Sequence, residues 1–359
     1  MLQYIIRRLL MAVPVLIGIL IVTFALARLI PGDPCKALLG EKATQQVCDI
    51  FKHEQGLDKP IAVQFVIYAG KILKGDFGTS IRMSRPVTTV LIDRLPQTIE
   101  LGIAALIISL LIGIPAGVIS AVRRNSAIDV ATMIGANIGI SMPVYWLGLM
   151  LMYVFALLLK GTPFWLPPSG RLSSGLEAVP FFEFYHLSIQ TGTFQYQAAQ
   201  FFSNLYIFNS IITGNWAVLW DTIRHLFLPA LALSTIPLAI IARMTRSAML
   251  EVLKQDYVRT ARSKGLKESV VIFKHAFRNA LLPITTVIGL EVGTLFAGAI
   301  LTETIFGLAG VGSILFDSIQ ARDFPVIQAF TVVIATFYVL INLVVDISYL
   351  FIDPRIRLN

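Results

Sequence analysis

Charge is scarce in this chain. Of its 359 residues 14% are charged and 56% are hydrophobic, whereas soluble domains carry roughly 25% charged residues. That deficit excludes an ordinary soluble domain and points to a membrane protein. Cysteine is almost absent: Cys35 and Cys48 are the only two, too few for a disulfide scaffold. The four histidines, His53, His186, His225 and His275, are scattered, and no HExxH, CxxC or GxSxG occurs. Those absences argue against an enzyme or a resident metal. No GxxxxGK[ST] is present either, and the glycine cluster Gly307, Gly310, Gly312 lacks the lysine and hydroxyl that would complete one. The chain is therefore expected to carry no cofactor and not to bind ATP by a P-loop.

What is abundant is long apolar sequence. Six runs, about Leu9–Leu29, Ile99–Val122, Ile128–Leu159, His225–Met244, Leu281–Leu301 and Val326–Ile352, are each long enough to cross a bilayer, which takes about 20 residues. The third exceeds that length and contains Pro143, so a tilt, a kink or an interfacial end must absorb the surplus. The fold expected is an all-α polytopic membrane protein of about six spans. The net charge of +8 then sits on loops. Arg7, Arg8, Arg123, Arg124, the stretch Arg243–Arg278, Arg355 and Arg357 all fall on one face, so a positive-inside bias is a cheaper explanation than nucleic-acid binding. That face is expected to be cytoplasmic, with both termini on it. Against this stands the first external segment, Pro31–Pro96, with nine basic residues of its own, which count less because the segment is long. Arg7 and Arg8 ahead of an apolar run ending in Ala25-Leu26-Ala27 resemble a signal peptide, but the run is too long for one and reads as an uncleaved first helix.

The organisation expected is an N-terminal span over 1–30, an external segment over 31–96 and a five-span core over 97–359. The core holds an external insertion at 160–224 and a cytoplasmic loop at 246–280. In the external segment "PIAVQFVIYAGKILKG" has helical spacing but cannot span, and is expected to lie at the lipid interface. Cys35 and Cys48 share this segment, either as a disulfide or as two thiols.

The most charged stretch is "YVRTARSKGLKESVVIFKHAFRNALLPI", 257 to 284. Leu250, Leu253, Tyr257 and Ala261 recur at helical spacing, which predicts one amphipathic helix from Met249. Gly265 can end it in a left-handed cap with Leu266 as the hydrophobic contact. A second short helix is predicted over Ser269–Ala280, with Val270, Phe273 and Phe277 on one side. Two basic helices lying on anionic lipid would satisfy this composition as well.

Tyr-Val-Arg-Thr-Ala-Arg-Ser-Lys-Gly-Leu (257 to 266), followed by His-Ala-Phe-Arg-Asn-Ala-Leu-Leu-Pro (275 to 283), resembles the coupling loop of ABC importer permeases, narrowly the peptide and nickel branch. Of the general loop pattern, Glu-Ala-Ala, three residues, Gly, only Ala261 and Gly265 match. The branch-specific resemblance also covers "RRLLMAVPVLIGILIVTF", "GDFGTS", "IPLAIIARMTRSAMLEVL", "VIGLEVGTLFAGAILTETIF" and "DPRIR", and so most of the chain outside roughly 176–221. The resemblance implies a permease subunit of an ATP-driven importer for di- or oligopeptides in the bacterial inner membrane. Its implied partners are a second permease, two ATPases that bind ATP and Mg, and an external substrate-binding protein. Tyr257, Arg259, Ala261, Gly265 and Leu266 would form the coupling contact. Nickel, glutathione or another small solute remain alternative substrates. A stand-alone secondary transporter is the alternative of a different class, disfavoured by the lack of inverted repeats.

Polar residues inside spans are the remaining candidates. Glu291 could meet a peptide ammonium group or pair with another helix, while Asn137 and Ser141 could line the path or satisfy the kink at Pro143. Gly289 and Gly293 allow close helix approach, within this chain or with another. The aromatic-rich insertion, including Phe164, Trp165, Phe181, Phe182, Phe184 and Tyr185, could cap an external mouth, meet a binding protein or form a lipid-facing belt.

Overall fold

The structure, a computed structural model, describes residues 2–29, 44–54, 56 and 58–352. Cys35, Arg355, Arg357 and the closing "DPRIR" lie outside them. The described residues form helices and one isolated bridge between Thr79 and Pro86. Helix α1 (Leu2–Leu29) is followed by the short α2 (Gln45–Glu54) and α3 (Ile61–Leu73), then α4 (Val87–Val122), α5 (Ala127–Ser141) and α6 (Val144–Met152). Three short helices, α7 (Phe181–Phe184), α8 (Phe194–Ser203) and α9 (Tyr206–Thr213), build the insertion. The long α10 (Trp216–Val252) leads to α11 (Asp256–Ser263). The chain re-enters through Glu268–Val270 and a wide π-helical stretch, Val271–Phe277, into α12 (Arg278–Ile305), and ends with α13 (Val311–Ala321) and α14 (Phe324–Ile352).

Among the described residues four helices are each apolar and long enough to cross a membrane, and six segments qualify when two bent pairs count as single spans. All six expected runs are thereby found, with corrections. The second span begins at Val87 rather than Ile99, and the fourth at Trp216 rather than His225. Asp93, Arg94, Gln97 and Glu100 lower the hydropathy of the first turns of α4 without ending the helix; Asp93 pairs with Arg85, Arg94 donates to the Ala309 carbonyl, and Glu100 accepts from Arg171 and the amide of Ile207. The third run is two helices meeting at 101°. Pro143 explains the break, since it disfavours helical geometry at Met142, which is extended (φ −80°, ψ 126°).

The centre is a parallel pairing of α4 and α10. Ser109 donates to the carbonyl of Ser234, and a side chain at Gly113 or Gly117 would collide with the carbonyl of Leu238 or Ala242. The contacts keep one register, so α4 and α10 touch through backbone along several turns. Small residues allow such approach where lipid tails provide no hydrophobic drive. Helix α12 packs against this pair and α14 against α12. Gly289 and Gly293 receive Val345 and Tyr338 of α14, leaving no room for a Cβ. The close approach expected there is thus within this chain. Helix α1 leans on α14 and α3, where Thr23 meets the Tyr68 hydroxyl at 3.2 Å.

Candidate coupling hairpin and its supports

The hairpin lies where α10 ends and the chain turns back towards α12. The single helix expected from Met249 to Gly265 is instead two. Helix α10 stops at Val252, Leu253–Gln255 form a turn, and α11 begins at Asp256. The physical reason is a small apolar core of the hairpin's own. Val258 and Ala261 of α11 are buried against Val271, with Val252 and Leu253 packed around them, and a straight helix would carry α11 away from that contact. Ala261 therefore supports the knob from within. Tyr257, placed on the apolar stripe by periodicity, is 44% exposed, as are Leu266 (41%) and Phe273 (62%), and the Arg259 side chain is 75% exposed. The second helix is likewise no separate element, since it continues through the π-helical stretch into α12.

Gly265 takes φ +71°, and a Cβ there would meet nothing within 4 Å. The position needs a left-handed backbone rather than space. The amide of Gly265 donates to the Arg262 carbonyl at 2.9 Å and that of Lys264 to Thr260 at 3.1 Å, closing α11. Across the bend Arg262 Nη2 lies 2.6 Å from Glu268 Oε1. That bond holds the Arg262 guanidinium above its usual pKa. The result is a closed elbow presenting Tyr257, Arg259 and Leu266 outward.

Behind it a second apolar cluster joins three helix ends: Val118 and Ala121 of α4, Ala248 and Met249 of α10, and Ala276, Ala280 and Ile284 on the way into α12. Asp129, at the start of α5, is 3% exposed and accepts from Arg246 Nε at 2.7 Å and Nη2 at 2.8 Å. It also accepts from the Ser120 hydroxyl and from the amide of Asn125 at 2.9 Å. The sequence does signal this turn: Ser126 caps α5 by accepting from the Asp129 amide. Nothing local announces Arg246 as the partner.

The other end of the bundle is tied by buried carboxylates. Glu303, fully buried near the end of α12, accepts from Thr98 Oγ1 at 2.5 Å and from the amides of Gly312 and Ser313 at 2.7 and 3.1 Å, holding the first turn of α13. Gly310 and Gly312 have no room for a side chain against Glu303 and Ile300. Packing thus explains Gly310 and Gly312, whereas Gly307 takes a left-handed φ of +59°. Asp323 accepts from Ser80 Oγ and the amides of Ile81 and Arg82, fixing the turn after "GDFGTS". The insertion is pinned in the same way. Arg171 pairs with Glu100 at 2.8 Å and stacks on Tyr206, Ile207 N donates to Glu100 at 2.7 Å, and Asp221 accepts from both Ser173 N and Oγ. Gln97, Glu100, Arg171 and His225 line a cavity of about 10 Å³, room for one water.

The polar candidates within the spans are not brought together. Glu291 is buried and accepts from Thr294 Oγ1 of its own helix at 2.9 Å. Asn137 and Ser141 sit on an exposed face at the 101° break, with Ser141 donating to the Asn137 carbonyl. Cys48 is buried and is not a free thiol. Among the described residues no cluster of metal-ligating side chains occurs.

Residues 113–358 match the family model described as binding-protein-dependent transport system inner membrane component, and residues 1–102 match the model of that component's N-terminal region. The chain is 46% identical to the dipeptide transport system permease protein DppB of Alkalihalophilus pseudofirmus, over 99% of this chain and 100% of that protein. It is 43% identical to the di/tripeptide transport system permease protein DppB of Pseudomonas aeruginosa, over 99% of each chain. It is 39% identical to the oligopeptide transport system permease protein AppB of Bacillus subtilis, over 99% of this chain and 100% of that protein. With long apolar helices, a protruding elbow and a family match over most of its length, the chain belongs to the inner membrane components of binding-protein-dependent transport systems.

Proposed function

We propose that this chain is a permease subunit of an ATP-driven importer of di- and oligopeptides. The observation that carries the reading is end-to-end similarity to permeases named for dipeptides, di/tripeptides and oligopeptides. A P-loop is absent from the sequence, so ATP and Mg belong to two separate ATPase subunits, and hydrolysis must reach the spans through a contact surface. The elbow supplies that surface. Tyr257, Arg259 and Leu266 touch the ATPase, Gly265 sets the bend, and Ala261 holds the elbow together from within. The elbow and both termini face the cytoplasm, consistent with the basic residues at that end.

A second, similar permease completes the path, and an external binding protein delivers peptide to the opposite end. ATP binding closes the ATPases, and the spans exchange outward for inward access. Asn137 and Ser141, on an exposed polar face at the break between α5 and α6, border the path. Glu291, bonded within α12, serves packing. Helix α3 lies at the lipid interface, where Ile61, Val63, Val66 and Leu73 are exposed. Cys35 and Cys48 form a disulfide on the external side.

The test is reconstitution with the second permease, the ATPases and the binding protein, measuring ATP-driven uptake of a labelled dipeptide. Uptake is expected from the complete assembly and none from this chain alone. Solute movement by the isolated chain, or labelling of a Phe273→Cys variant from outside the cell, would overturn the reading.

A further inference from the structure

Helix α10 runs unbroken for 37 residues, from the insertion to the elbow, a length of about 55 Å at 1.5 Å per residue. Displacement of the elbow enters the bundle through the last turns of α10 and the π-helical entry to α12. Whether that displacement moves the spans depends on how firmly those turns are joined to their neighbours. Apolar contact alone resists sliding weakly, since Val118, Ala121, Ala248 and Met249 can slip past one another without losing a directed bond.

The join at this level is different in kind. Arg246 lies six residues before the end of α10 at Val252 and grips Asp129 with two parallel bonds of 2.7 and 2.8 Å. Such a fork fixes orientation as well as distance. The same carboxylate accepts from Ser120 of α4 and from the amide of Asn125 in the connecting turn. Four donors fill the roughly four lone-pair sites of a carboxylate. Asn125 takes φ +62°, a left-handed conformation that asparagine tolerates. Gly117, a turn away, removes the Cβ that would hold α4 off α10. One buried group thus ties the end of α4, the start of α5 and the end of α10.

We propose that the Asp129–Arg246 clamp is the joint that makes α4, α5 and α10 follow the elbow as one body. Both are positioning residues that act through the helices they join. This inference rests on the functional reading above. With the clamp intact, elbow displacement carries the α4–α5 turn, and through α5 the broken span bearing Asn137 and Ser141. With the clamp cut, α10 moves past α5 and hydrolysis proceeds without an equivalent change in the path.

The experiment uses the complete importer in proteoliposomes with binding protein and labelled dipeptide, and reads peptide imported per ATP hydrolysed. For Asp129→Asn and Arg246→Met the ratio is expected to fall about tenfold or more, with hydrolysis within about twofold of wild type. Arg246→Lys, which keeps the charge but loses the fork, should recover part of the ratio. Should the stronger variants fail to assemble, Ser120→Ala and Arg246→Lys decide, each with an expected fall of about two- to threefold. A ratio unchanged in the assembled variants, or uptake and hydrolysis falling in proportion, would overturn the clamp while leaving the importer reading standing. A wild-type assembly without ATP-driven dipeptide uptake would overturn both.

Discussion

The elbow itself and the far end of the bundle are built on opposite rules. At the elbow, charge is exposed and the few buried groups are small and apolar: Val258, Ala261 and Val271. At the other end the exposed residues are aromatic, with Phe194, Trp216 and Trp220 among the most open, while carboxylates are buried. Glu100, Asp221, Glu303 and Asp323 each reach across to backbone amides of another element. Directed bonds of this kind fix geometry, because a buried amide that loses its acceptor is costly to leave unpaired. The insertion end is therefore immobilised against the spans. The elbow is a small closed body joined to the bundle through helix ends, which suits a part that receives force.

The contrast is tested most severely at Glu303. Replacing it by alanine strands the amides of Gly312 and Ser313 and the Thr98 hydroxyl, so a loss of about 3–5 kcal/mol is expected, seen as a lowered thermal midpoint in detergent. Second in size is Arg171→Ala, which deprives the buried Glu100 of its cation. A loss of about 2 kcal/mol is expected, read as faster proteolytic cleavage within 160–224 while the rest of the chain resists. Next comes Gly265→Val. A left-handed L-residue costs roughly 1–2 kcal/mol, confined to the elbow, so the thermal midpoint of the bundle should barely change while dipeptide uptake in the assembled importer falls at least tenfold. The smallest effect on the fold belongs to Tyr257→Ala, where less than about 0.5 kcal/mol is expected for an exposed side chain. Its effect should appear instead as weaker co-purification of the ATPases. Equal destabilisation by Gly265→Val and Glu303→Ala would erase the distinction between the two ends.

How much was legible in the sequence follows the range of the interaction. Six apolar runs give six crossing segments because hydropathy is local, and Pro143 marks the broken span because its effect reaches one residue back. Gly265 was readable for the same reason. Hydropathy starts this span at Ile99 because Asp93 and Arg94 look like loop residues until their partners are known: Asp93 pairs with Arg85 and Arg94 donates to the carbonyl of Ala309. Periodicity gave one helix through Leu253 where there are two, since the break serves a contact between Val258 and Val271 that spacing alone cannot reveal. Glu303, Asp323 and Asp129 were missed altogether. Each has at least one partner far away along the chain, Thr98 for Glu303, Ser80 for Asp323 and Arg246 for Asp129, and no local pattern marks that long-range bond.

The empty surroundings of Gly265 carry a stereochemical corollary. Nothing crowds the α-carbon there, so the elbow asks for handedness and is indifferent to bulk. An alanine of D configuration, introduced by semisynthesis, suits a positive φ as naturally as its mirror image suits a negative one, and should leave the turn intact where the L form strains it.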